Sequence, residues 1–229
     1  GALFTERATW MPQYREISQF IMPRTGRFLL TDQNKGNKRH NSIIDSTGTR
    51  ALRVLAAGLM AGMTSPARPW FRLSTGDTDL MEYGPVKLWL NLCTEKMRSI
   101  FQRSNTYRSL HTMYEELGAY GTAASIVLED FDDVLRHYPA TCGEYMLATD
   151  HRGEVNTIYR EFQMTVAALV GEFGIDHVSH TVRSMFQTGK NLDAWIPVLH
   201  VIEPRKDRDL TSKLSRDMAW TSNYLELQG

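Results

Sequence analysis

The chain has 229 residues, of which 42% are apolar and 23% charged, with 26 basic residues against 26 acidic ones. That apolar fraction is sufficient for a packed core in one or two domains. Because the charges balance, the composition excludes binding to nucleic acid or membranes through an overall electrostatic field, and any basic patch must be local. No apolar run approaches the roughly 20 residues that a spanning helix requires, so we expect neither a membrane segment nor a secretory leader.

The N-terminal half has the three- and four-residue apolar spacing of helices. Thr9 is expected to cap a first helix that ends at Ile21, before Pro23. Three further helices are predicted: from Ser42 to about Met63, from Pro85 through Ile100, and from Ser104 or Asn105 to Gly118.

After Gly121 the pattern changes to short strand-like runs, at 124–128, 134–138, 144–148 and 155–162. Turn-forming residues separate these runs, which favours successive antiparallel pairing in one small sheet. A helix capped by Thr165, a helix over 177–187 and a return strand over 194–204 are then expected. This order predicts an α+β fold with a helical region over 1–120, an α+β region over 121–204 and a tail over 205–229.

The segment from Pro23 to Arg53 contains seven Lys or Arg residues against two Asp residues, a local net charge of +5. Within it, a polar loop predicted over 24–41 carries Lys35, Lys38 and Arg39. These cations, with Arg50 and Arg53 that follow, predict contact with DNA phosphates, contact with a neighbouring subunit, or an ordinary solvated loop.

The run AAGLMAGMTSPARPWFRL at 56–73 places small residues before two prolines and an aromatic pair. Glycine inside a helix costs about 1 kcal/mol relative to alanine, so close packing must offset it, either within one subunit or between subunits. The prolines end the helix and fix an extended exit. We predict a structural bend made by Gly58, Gly62, Pro66, Arg68, Pro69 and Trp70.

The sequence contains few motifs that indicate catalysis or cofactor binding. It contains no phosphate-binding glycine loop, no dinucleotide fingerprint and no nucleophile elbow, and neither a cofactor nor a metal is expected. The acidic cluster at 129–133 is interpreted as a solvated hairpin turn rather than a cation site. His177 and His180 are placed to share a helix face but lack a third ligand, and Cys93 and Cys142 are expected to be free thiols. No catalytic residue is predicted.

Four stretches resemble the portal, or head-to-tail connector, proteins of short-tailed, podovirus-type bacteriophages. They are MPRTGRF at 22–28, IIDSTGTRALRVLAAGLMAGMTSPARPWFRL at 43–73, GEYMLATDHRGEVNTIYREFQMTVAALVGEFG at 143–174 and HVIEPRKD at 200–207. The resemblance covers most of the chain in the expected order. Because such proteins are considerably longer than 229 residues, it implies the N-terminal, wing-containing part, with residues 205–229 leading toward a stem and clip region beyond this chain.

This resemblance implies a non-enzymatic homo-oligomeric ring, usually of twelve subunits, at one capsid vertex of the virion. Double-stranded DNA would pass through it during packaging and ejection. The implied partners are the terminase, the major capsid protein and tail adaptor proteins, with assembly in the host bacterial cytoplasm. The alternatives are another head–tail adaptor ring of the virion and a phage enzyme that processes nucleic acid.

Overall fold

The computed structural model describes residues 2–23, 25–28, 43–212 and 214–227. These residues form an α+β fold, which confirms the predicted class. The chain divides into two compact units, a helical unit of residues 16–25 and 38–142 and a sheet unit of residues 1–15, 26–37 and 143–229. The division into domains predicted from the sequence, at residues 120 and 204, stays a prediction.

Six helices lie in the described part of the N-terminal half: α1 (Ala2–Arg7), α2 (Met11–Phe20), α3 (Thr47–Met63), α4 (Thr78–Glu82), α5 (Gly84–Arg103) and α6 (Thr106–Tyr120). The first turn of α5 contains Pro85, as predicted, because that position needs no amide donor. The two shortest of these helices, α1 and α4, were not predicted. The predicted start of α3, at Ser42, lies outside the described residues, and α3 begins at Thr47.

Helix α6 packs against α3, and a glycine sets how closely they approach. A Cβ atom built on Gly118 would lie 3.0 Å from side-chain carbons of both Leu52 and Leu55. The prediction that Gly118 ends this helix is therefore wrong, because its role is packing. The helix ends instead at Gly121, whose positive φ of 72° suits a glycine cap and whose amide donates to the carbonyl of Leu117.

Strands β1 (Ala124–Asp130) and β2 (Val134–Ala140) form an antiparallel hairpin in the helical unit. Side chains of the helices hold β2 and the residues just after it. Asn105 donates its side-chain amide to the carbonyl of His137 and accepts from the His137 backbone amide, both at 2.8 Å. The buried Glu116 carboxylate accepts from the Thr141 hydroxyl at 2.7 Å and from the Cys142 amide at 3.1 Å.

The sheet unit contains strands β3 (Tyr145–Thr149), β4 (Val155–Thr165), β5 (Trp195–Pro204) and β6 (Trp220–Glu226). They form one antiparallel sheet in that order. The predicted pairing of the second strand with the third is wrong, because β2 and β3 belong to different sheets. The sequence analysis also assigned no strand after residue 204, whereas β6 extends the sheet from β5.

Two helices cover the core side of this sheet, α7 (Val166–Phe173) and α8 (His180–Thr188). Thr165 caps α7 by accepting from the Ala168 amide, and Gly174 follows its last residue, as predicted. Buried aliphatic side chains from both helices, the segment between them and β5 form one cluster: Val166, Leu169, Val178, Val182, Ile196 and Val198. This cluster is the hydrophobic core of the sheet unit.

A row of polar and aromatic side chains crosses the same sheet. Arg160 of β4 donates from Nε to the buried Glu144 carboxylate at 2.8 Å, and its guanidinium lies 4.1 Å from the ring centroid of Phe162. On β5, the ring of His200 stacks on Tyr224 with centroids 4.0 Å apart, and its Nε2 lies 2.9 Å from the Ser222 hydroxyl. These contacts join β4 to Glu144, the residue before β3, and join β5 to β6, so the row is structural.

The junction before β3 requires glycine, which gives a matched pair of substitutions. Gly143 has a φ of 90°, and an added Cβ would lie 2.3 Å from the carbonyl oxygen of Arg27. Gly153 has a similar φ of 80° but open space around it. We expect Gly143→Ala to lower the free energy of unfolding by about 3 kcal/mol or more, and Gly153→Ala by about 1 kcal/mol. Urea unfolding checks this, and equal losses would contradict the steric argument.

The buried His200 predicts a loss of stability in acid. Its side chain is 2% exposed, and burial, helped by the nearby Arg160 charge, lowers its pKa from 6.5 to about 4. The unfolded chain therefore binds a proton that the folded chain rejects, so the contribution is complete above about pH 6.5 and falls as the pH drops toward 4. Across that window we expect a loss of about 2 kcal/mol. Urea unfolding of His200→Gln should show a shallower pH dependence than the parent chain; identical slopes would contradict the assignment.

Candidate functional site

The bend after α3 is held by hydrogen bonds at the C-terminal end of the helix. Arg68 donates from Nη2 to the carbonyl of Ala61 at 2.8 Å, where the helix has acceptors left over. The Thr64 hydroxyl lies 2.9 Å from the Tyr114 hydroxyl of α6 in a buried contact. A cation beside the negative end of the helix dipole adds to this stabilisation. Of the residues predicted for the bend, Arg68 thus has a defined structural role.

The extended exit from the bend is anchored by aromatic rings. Trp70 packs edge-on against Phe71, at 4.7 Å between centroids, and stacks on Phe101 of α5 at 6.2 Å. Its indole N–H donates to the Tyr107 hydroxyl of α6 at 3.2 Å. Further along, Thr94 accepts from the Leu73 amide at 3.1 Å. The exit is therefore tied to both α5 and α6.

The two glycines predicted to pack closely have no neighbour within the described part of this chain. A Cβ built on Gly58 or Gly62 would find no heavy atom within 4 Å. The same surface of α3 carries Val54, which is 72% exposed. Each glycine lowers helix propensity by about 1 kcal/mol relative to alanine, and no contact among the described residues offsets that cost. Among the residues that the structure describes, none covers this glycine face, defined by Val54, Gly58 and Gly62, and we call it open.

Helix α5 exposes a second apolar surface in the same unit. Leu88, Trp89 and Leu92 are each more than 60% exposed, and Leu92 lies one turn after the adjacent pair Leu88 and Trp89. Single exposed apolar residues are ordinary on a protein surface, but a cluster of large ones marks an interaction site. We call these three residues the α5 ridge.

Only two of the five basic residues predicted to contact DNA or a subunit lie in the part of the chain that the structure describes. Lys35, Lys38 and Arg39 lie outside the described residues, so their contact with DNA or a subunit stays a prediction. Arg50 and Arg53 are exposed on α3. Because they are three residues apart, they lie on one side of that helix.

The acidic cluster and the histidines considered for catalysis do not form a common site among the described residues. The acidic cluster forms the tip of the β1–β2 hairpin, where the Asp130 carboxylate accepts from the amides of Asp132 and Asp133. This confirms the turn interpretation. His177 and His180 do not share a helix, because the first lies in a 3-10 turn and the second begins α8.

The cysteines and the other possible metal ligands also form no site in the described ranges. Cys93 and Cys142 are free thiols, as predicted. Within the described ranges no cluster of three or more His, Cys, Asp or Glu side chains is arranged to hold a metal ion. No helix in the part of the chain that the structure describes is long and apolar enough to cross a membrane.

Sequence reasoning missed several residues that hold the bend in place. Thr64, Tyr107 and Tyr114 each supply a hydroxyl that fixes the helix end or the exit. Their signal in the sequence is weak, because Tyr107 and Tyr114 lie among the apolar residues of α6 and Thr64 simply follows the last residue of α3. The acceptor of Arg68 could not be predicted from the sequence beyond a choice between carboxylates and backbone carbonyls.

Removing the aromatic anchor tests the bend. Trp70→Ala removes a half-buried indole and its hydrogen bond, so we expect the free energy of unfolding to fall by about 2–3 kcal/mol. The matched control is Trp89→Ala, because Trp89 is 63% exposed and should change stability by less than about 0.5 kcal/mol. Urea unfolding at concentrations below assembly measures both. A smaller loss for Trp70 than for Trp89 would contradict the anchoring role.

Comparison with known proteins identifies the family to which the chain belongs. The chain is 59% identical over 226 residues to the "Probable portal protein" of Bordetella phage BPP-1, and 44% identical over 227 residues to the "Portal protein" of Salmonella phage epsilon15. Each alignment covers 99% of this chain but only 40% or 41% of the relative, so the chain spans about two fifths of their length. The family model described as "Bacteriophage head to tail connecting protein" matches residues 1–229, and the chain therefore belongs to that family.

Proposed function

We propose that this chain is part of a phage portal protein, a subunit of a closed, non-enzymatic ring at the capsid vertex where head and tail join. Family membership supports the setting, because both relatives carry the name of portal protein. The main observation in support of a ring is the open glycine face of α3. A helix that retains two interior glycines without any neighbour in its own described chain is suited to close approach by another subunit.

The α5 ridge is a second surface that supports a contact between subunits. Its three large side chains are exposed, whereas the glycine face offers a shallow, open surface of small residues. Two different surfaces on one subunit make a head-to-tail contact, and such contacts close into rings when the rotation permits. We therefore propose a homo-oligomeric ring, with twelve subunits as the expected number.

The wider role follows from the ring. We propose that double-stranded DNA passes through it during genome packaging and ejection, and that the terminase, the major capsid protein and tail adaptor proteins bind its outer surfaces. The balanced charge of the chain supports passage rather than retention of DNA, since phosphate binding rises with the number of cations that face it. The protein would assemble in the host cytoplasm and remain in the virion.

Native mass spectrometry of the full-length protein tests the proposal. Gly62→Leu should preserve or raise the stability of the single subunit, because leucine is a better helix former and has open space there, yet it should abolish the ring. The matched control is Gly171→Leu in α7, another helical glycine with open space around it, which should leave the ring intact.

Two results would count against the proposal. A parent protein that stays monomeric under all conditions contradicts the ring itself. Normal rings formed by Gly62→Leu contradict the use of the glycine face while leaving other interfaces possible.

A further inference from the structure

The tip of the β1–β2 hairpin presents one aromatic side chain to solvent. Phe131 is 97% exposed and is surrounded in sequence by four carboxylates, those of Glu129, Asp130, Asp132 and Asp133. Burying a phenylalanine side chain is worth about 1.5–3 kcal/mol, so a fully exposed one is an unused source of binding energy.

This tip is held in a defined conformation. The Asp130 carboxylate accepts from two backbone amides of the turn, at 2.9 and 2.7 Å. The turn ends at Val134 with a φ of 73°, a conformation that usually requires glycine and that a β-branched residue adopts at a cost of about 1–3 kcal/mol. Since Asn105 holds the middle of β2 and Glu116 holds the residues just after it, the tip presents Phe131 in a restricted geometry.

The helical unit also contains a cavity of about 160 Å³ that opens to solvent. Its apolar lining comes from Ile21, Met22, Pro23 and Leu52, and its polar lining comes from Thr25, Thr49, Arg53 and Glu115. A cavity of about 150 Å³ lined by aliphatic and aromatic side chains binds benzene in another protein. This cavity is therefore large enough for one phenyl ring.

The charges of the tip and of the cavity mouth are complementary. The tip carries four carboxylates, whereas α3 presents Arg53 at the cavity, with the exposed Arg50 one turn away on the same side. The one acidic lining residue, Glu115, lies 4.0 Å from the ring nitrogen of His111. Opposite charges around an apolar contact steer encounter and fix orientation.

We propose that Phe131 of one subunit inserts into this cavity of the neighbouring subunit, with the acidic tip against Arg50 and Arg53. The proposal rests on the proposed ring, because it names a contact between its subunits. Tip and cavity are different surfaces of one chain, as a head-to-tail ring requires. On α3, Arg53 lies about 140° around the helix from Gly58, whereas Arg50 precedes Val54 by one turn, so this contact would border the glycine face.

Assembly measurements on the full-length protein test the contact. Phe131→Ala should raise the concentration at which half of the subunits are in rings by about tenfold or more, because the lost burial acts at every interface. The matched control is Val127→Ala on the same hairpin, an exposed apolar residue away from the tip, which should shift that concentration less than about twofold. Circular dichroism verifies that each variant is folded.

A charge exchange adds a second, independent readout. Arg53→Glu should weaken assembly, and adding Asp132→Lys and Asp133→Lys to the same chain should restore it, since all three side chains are exposed. Photo-crosslinking from p-azidophenylalanine at position 131, in rings of mixed isotope labelling, should attach to peptides containing residues 21–25 or 49–53 of another copy.

The outcomes separate this inference from the function on which it rests. Rings that form equally well with Phe131→Ala, or crosslinks to other peptides or to another virion protein, overturn the inference and leave the ring standing. A parent protein that forms no ring overturns both.

Discussion

The close packing of α3 on α6 is the contact on which the helical unit depends. Gly118 lets the two helices approach until Leu52 and Leu55 fill the space that a Cβ would take. The buried pair of Thr64 and Tyr114 fixes the end of α3 at the same interface. With Leu52 and Leu55 of α3 packed on α6, Arg53, Val54 and Gly58 are left exposed on the rest of the helix. The surfaces of α3 proposed for assembly therefore depend on this one interface.

The buried polar residues of the molecule join elements of its own structure. Glu116 binds the end of the hairpin, Glu144 binds Arg160, and His200 is enclosed between Ser222 and Tyr224. An enzyme concentrates such groups around a cavity that accepts a substrate. Here Glu116, Glu144 and His200 are each used in linking strands or helices. The strongly lowered pKa of His200 is a consequence of that burial.

Local signals in the sequence predicted the elements that local chemistry determines. Thr165 and Gly174 marked both ends of α7, Pro85 marked the start of α5, and the acidic cluster marked a hairpin turn. Each of these depends on a cap, a missing donor or a turn within a few residues. The α+β class and the family followed from the order of the elements and from quoted stretches of sequence.

Features that depend on distant residues were missed. The separation of β2 from β3 requires a junction at Gly143 shaped by the carbonyl of Arg27, far away in the sequence. Strand β6 has a mixed polar and apolar pattern and is a strand because β5 offers an edge to pair with. Gly118 was predicted to end a helix because the local sequence gives no sign that it packs against Leu52 and Leu55 of α3. In the candidate site, the bend residues were predicted but their hydrogen-bond partners were not.

The central claim is that the open glycine face of α3 is covered by a neighbouring subunit. A cryo-electron microscopy map of the full-length protein, at a resolution that places side chains, tests it directly. The account predicts a closed ring in which atoms of the next subunit lie within about 4 Å of Gly58 and Gly62, as ordinary close packing requires. A ring in which these glycines face solvent, or a protein that forms no ring, would contradict it.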